Sequence, residues 1–137
     1  MMQQRIASLV GALALAFVAV LGIASPALAA DEINNAVDAD WTGTCTDRRY
    51  TPNVEGCVEP GGDILWVKDN AANGYSVKLR WYDLDGSRTG ECVDTLGQAK
   101  AWTVCNKDFT EGHRIRWSLG WNSANGWDYS DWWTTTV

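Results

Sequence analysis

Four cysteines, one histidine, seventeen acidic residues and nine tryptophans are the groups with which this 137-residue chain could do chemistry. Cys45, Cys57, Cys92 and Cys105 suit either disulfides or a soft metal. Zinc favours closely spaced thiolates or histidines, yet no Cys-x-x-Cys occurs and the single histidine, His113, lies apart from all four. No metal and no cofactor are therefore expected. His113 has no GxSxG elbow beside it, no unpaired thiol to activate and no glycine-rich phosphate cradle elsewhere. Asp83, Asp85, Ser87 and Asp94 start like a calcium loop, but Arg88 stands where that loop needs glycine, so the segment reads as a turn. Carboxylate pairs that cleave glycosides need a cleft and a fixed separation that a chain this small rarely builds. With no positioned acid, base or nucleophile, no enzyme is expected.

The N-terminus sets the compartment in which these cysteines must work. Met1 to Arg5 carries one positive charge, Ile6 to Ile23 is almost wholly apolar, Pro26 breaks the run, and Ala27-Leu28-Ala29 suits a signal peptidase. Residues 1–29 are expected to be a signal peptide and the remainder a secreted, extracellular protein. Cleavage removes only Arg5 among the charged residues, so the net charge moves from −6 to −7. That charge argues against a nucleic-acid partner, whose phosphates need a basic footprint, and against docking on an anionic membrane. An even cysteine count in an oxidising compartment reads as two disulfides. Of the three pairings, Cys45–Cys57 and Cys92–Cys105 are favoured because each is close in sequence. The second is expected to lie across a hairpin turning near Gly97.

What remains is one small domain preceded by an arm. Residues 30–40 are acidic, small and free of aromatics, which predicts a mobile arm. From Trp41 onward, short β-type runs alternate with Gly, Asn and Asp. Strands are predicted near Trp41 to Thr46, over Ile64 to Lys68, Tyr75 to Trp81, Thr89 to Thr95, Ala101 to Asn106 and His113 to Trp121, and from Trp127 to Val137. Tyr75, Val77, Leu79 and Trp81 share one face and leave Ser76, Lys78 and Arg80 on the other, just as Ile115, Trp117, Leu119 and Trp121 leave Arg114, Arg116 and Ser118 outward. The fold class is all-β: a small disulfide-stabilised antiparallel β-sandwich over residues 41–137 with a flexible N-terminal arm.

Tryptophan exceeds what this core can hold. Trp66, Trp81, Trp102, Trp117 and Trp121 are assigned to it by alternation, which leaves a surplus. Trp132 and Trp133 cannot both face inward, because successive strand residues point to opposite faces. With Trp127 and Tyr129 they form a candidate aromatic patch, and such a patch usually marks an interaction site. A carbohydrate-binding module is one alternative. Its rings would stack on a sugar while Asp128 and Asp131 accept hydroxyl protons.

The segments Gly56-Cys57-Val58-Glu59-Pro60-Gly61-Gly62-Asp63, Asp85-Gly86-Ser87-Arg88-Thr89-Gly90-Glu91-Cys92 and Trp102-Thr103-Val104-Cys105-Asn106 resemble the small secreted β-proteins of streptomycete-type actinobacteria. More specifically, they are similar to the small adaptor subunit of the umbrella toxin particles those bacteria secrete. That resemblance implies a protein joining a lectin subunit to a repeat-containing toxin polypeptide, with the folded body and the arm as separate contact surfaces, the arm binding through Asp31, Glu32, Ile33, Val37, Asp38 and Asp40.

Overall fold

The computed structural model describes residues 30–137 apart from Gly62; the expected signal peptide lies outside the described residues. The chain is all-β, as predicted, and builds two sheets that pack face to face. The first sheet runs β1 (Glu32–Asn35), β7 (Thr89–Asp94), β6 (Val77–Asp83), β9 (Arg114–Ser123) and β10 (Gly126–Tyr129), with β11 (Trp133–Thr136) also on β9. The second runs β2 (Val37–Asp38), β8 (Thr103–Asn106), β5 (Ile64–Asp69), β4 (Val54–Glu59) and β3 (Arg49–Tyr50). All pairings are antiparallel except β1 with β7.

Alternation on the central strands makes the core. Val54 and Val58, Leu65 and Val67, Leu79 and Trp81, and Ile115, Trp117 and Leu119 fill the space between the sheets. Trp81 pairs with Trp117 across β6 and β9, and both are fully buried. The buried Trp117 indole is satisfied by donating from Nε1 to Thr135 Oγ1 at 3.0 Å.

Both favoured disulfides form, and the second does more than expected. Cys92 and Cys105 belong to different sheets, with Cα atoms 5.9 Å apart, so the bond ties sheet to sheet and does not cross a hairpin. Residues 95–102 carry the chain from one sheet to the other, which a tight hairpin turn could not do. Cys45–Cys57 pins a loop, not the strand expected near Trp41 to Thr46, onto the outside of the second sheet. Under that loop Trp41 stacks on Trp102 at 4.3 Å and meets Trp66 edge-on at 4.9 Å. Trp66 and Trp102 are thus buried, but in a second small core outside the sandwich. The predicted last strand divides into β10 and β11, and β4 forms where no strand was predicted.

Residues 30–40 need the largest correction. They do not hang free: β1 pairs with β7, the chain crosses at the buried Ala36, and β2 pairs with β8. This segment bridges the same edges that Cys92–Cys105 joins. Aromatic content was the wrong criterion, because an edge strand is held by main-chain hydrogen bonds and ion pairs. A Cβ at Gly90 would fall on the Glu32 carbonyl oxygen, so glycine there lets β1 approach. Glu32 then meets Arg88 through two bonds, at 2.8 and 3.1 Å, and Lys107 at 2.8 Å.

Candidate functional site

The surplus aromatics gather on the outer face of the first sheet, where the pleat of β6 turns Lys78, Arg80 and Tyr82 away from the core. Across the ladder lie Gly120, Ser118 and Arg116 of β9. Beyond them, β10 and β11 lie end to end along the same edge of β9. Ser130 fills the break between the two, its N–H donating to the Leu119 carbonyl and its hydroxyl accepting the Leu119 N–H, both at 2.9 Å.

That break settles the expected division at the tryptophan pair. Trp133 stands opposite Trp117 and packs on it at 5.0 Å, on the core side. Trp132 turns outward and meets Tyr82 at 5.4 Å. Trp127 and Tyr129 take the outer face through their pairing with Asn122 and Gly120. A side chain at Gly120 would collide with the Tyr129 ring at 2.8 Å; glycine allows that ring to lie against the sheet.

Cations fill the spaces between rings. Lys78 Nζ lies 4.0 Å from the Trp127 centroid and 5.4 Å from that of Tyr129, beside two rings inclined by only 23°. The Arg80 guanidinium follows, 3.5 Å from Tyr129 and 4.3 Å from Trp132. Arg116 then lies 4.8 Å from Trp132. The result is a ladder of rings and cations across β6, β9 and β10 and the break before β11, each contact contributing on the order of 0.5–1 kcal/mol where exposed. The covering rings leave Lys78 buried, with Glu91 at 2.9 Å as its ion-pair partner. Arg80 Nε donates to Ser118 Oγ at 2.7 Å. Beside the ladder, Asp31, Arg80, Tyr82, Thr89, Gly90 and Glu91 line an open hollow of about 190 Å3.

The predicted patch residues thus separate. Trp127, Tyr129 and Trp132 come together and Trp133 does not. Asp128 stands opposite Trp121 and so points away from the patch, which removes it as a companion to those rings. Sequence reasoning missed Lys78, Arg80, Tyr82 and Arg116 as site residues. The signal was present in the alternation, which already placed Lys78, Arg80 and Arg116 outward on neighbouring strands.

The arm residues have individual partners. Asp31 accepts from Thr89 Oγ1 at 2.9 Å, and Asp38 pairs with Lys100 at 3.4 Å. Asp40 is exposed, and Ile33 and Val37 are 64% and 61% exposed. The Arg88 guanidinium, aided by Lys107 and opposed by partial burial, holds the Glu32 carboxyl at about 2. His113 Nδ1 meets the Asp83 carboxylate at 2.8 Å, and Asp85 is engaged by Arg114, so both turn carboxylates have side-chain partners. Among the described residues no three His, Cys, Asp or Glu side chains are grouped to hold a metal. Asp69 and Asp94 lie in the interior, where burial pushes both carboxyls up. One oxygen of Asp94 has no hydrogen-bond partner.

The chain matches no protein-family model, no curated protein and no solved structure.

Proposed function

We propose that this chain is a secreted, non-enzymatic interaction protein whose principal contact surface is the outer face of the first sheet. The observation that carries the reading is composition: Trp127, Tyr129, Trp132, Tyr82, Arg80 and Arg116 are the residue types that dominate binding hot spots, gathered on one face of the sheet. The signal-peptide pattern and the two disulfides support export to an oxidising environment. In the adaptor role implied by the resemblance to umbrella toxin particles, a lectin subunit and a toxin polypeptide require two surfaces. The second candidate is the β1–β2 edge, where each strand has one neighbour and Ile33 and Val37 are exposed.

A carbohydrate-binding module remains the competing use of the same rings. It is favoured by the near-parallel Trp127 and Tyr129, but Lys78 lies 4.0 Å from the Trp127 centroid and Arg80 sits 3.5 Å over Tyr129, where a sugar would need an open ring face. Affinity capture from the culture supernatant of the source organism separates the two. The interaction reading expects co-purifying proteins with the native chain, lost in Tyr129→Ala/Trp132→Ala, and no retention on chitin or cellulose. Retention on a polysaccharide with no protein captured would overturn it.

A further inference from the structure

Every lysine and arginine among the described residues has a carboxylate oxygen within 3.8 Å, with two exceptions. The exceptions are Arg80 and Arg116, and both stack on the same ring, Trp132, at 4.3 and 4.8 Å. In a chain with seventeen acidic residues, this pairing of unneutralised guanidiniums needs a physical account. Glu91 stands directly opposite Arg80 in the β6–β7 register, yet its carboxylate goes to Lys78. Asp31, across the hollow, is engaged by Thr89.

We infer that Arg80 and Arg116 are a receptor for carboxylate groups, and that the partner docking on this face presents an acidic side chain to them. The inference rests on the interface reading above and names the chemistry of its partner. Contact with the rings, and for Arg80 the bond to Ser118, positions the guanidiniums before the ligand arrives. Two like charges on one ring repel, and a partner's carboxylate relieves that repulsion while accepting charge-assisted hydrogen bonds. A polysulfated chain fits less well, because it needs a long line of cations and this face offers two free ones. A protein partner also uses the remainder of the face: Trp127, Tyr129 and Tyr82 give apolar area, and the hollow of about 190 Å3 beside Arg80 has room for a side chain.

Tryptophan fluorescence of the folded domain, titrated at low salt with a short oligo-glutamate peptide, tests this. Oligo-lysine, oligo-serine and a heparin fragment serve as comparisons. A saturable response to oligo-glutamate is expected, weakened at least about tenfold in Arg80→Gln/Arg116→Gln, since hydrogen bonds to charged groups are lost. Arg116→Gln alone, at an exposed position, keeps the fold and should show part of that loss. No response to oligo-glutamate, a response that both arginine variants retain, or tighter arginine-dependent binding of heparin would each overturn the inference. Failure of the interface reading looks different: capture of supernatant proteins would then be unchanged in Tyr129→Ala/Trp132→Ala.

Discussion

Glu32→Gln is expected to loosen the N-terminal strand by an amount that depends on pH. The native carboxyl is drawn from 4.5 to about 2, chiefly by its hydrogen bonds to Arg88, with Lys107 adding to them and partial burial working against them. A shift of that size corresponds to roughly 3 kcal/mol of folded-state stabilisation at neutral pH. The Glu32 side chain is a third exposed, so water screening reduces this to about 2 kcal/mol. Because the folded carboxyl lies below its ordinary value, the stabilisation is complete above the ordinary glutamate range. It is lost as pH falls through about 2. Lys107, only 5% exposed, loses its carboxylate partner in the variant, and that loss is part of the same figure. Urea unfolding of both proteins at neutral pH and near pH 2 reads the difference. A gap of about 2 kcal/mol that closes in acid is expected, with faster amide exchange over Glu32–Asn35 in the variant. A gap absent at neutral pH, or undiminished in acid, would refute the stabilising role of the Glu32 ion pairs.

Trp133→Ala should cost about 2–3 kcal/mol of stability, less than a fully buried ring because Trp133 is only partly covered. Trp132→Ala should cost about 1 kcal/mol, removing one aromatic pair and two exposed cation contacts, but should abolish partner capture. Asp94→Asn should stabilise the domain at neutral pH by about 1 kcal/mol, because the native carboxylate is penalised by burial and the amide oxygen can still accept the Leu96 N–H. For a carboxyl raised by folding, the gain should vanish below the ordinary aspartate range, as thermal melts across pH would show. Cys92→Ser/Cys105→Ser should lose about 3 kcal/mol and uncouple the two sheets in hydrogen exchange.

The sandwich was legible because its central strands alternate. Val77 to Trp81 and Ile115 to Trp121 announce their buried face directly, and the disulfide pairing followed from proximity. β4 was not legible, since Val54-Glu55-Gly56-Cys57-Val58-Glu59 reads as a turn-rich stretch when glycine is taken for a breaker. β1 and β2 were hidden for a different reason. Their stability comes from main-chain pairing with strands remote in sequence and from Arg88 and Lys107, neither of which local composition reveals. At the site, alternation supplied the outward cations and the tryptophan surplus supplied the rings. Their interleaving depended on the register of β10 and β11 along β9, and on the break at Ser130 that turns Trp132 outward.

Site-specific photocrosslinking tests the interaction face most directly. Thr134 is exposed and pairs with Arg116, next to the ladder, whereas Thr44 is exposed on the loop covering the opposite sheet. With a photoreactive residue at each position in turn and the culture supernatant supplying partners, adducts with a distinct protein are expected from position 134 and not from 44. Adducts from 44 with none from 134 would place the contact surface on the other side of the sandwich and contradict the account.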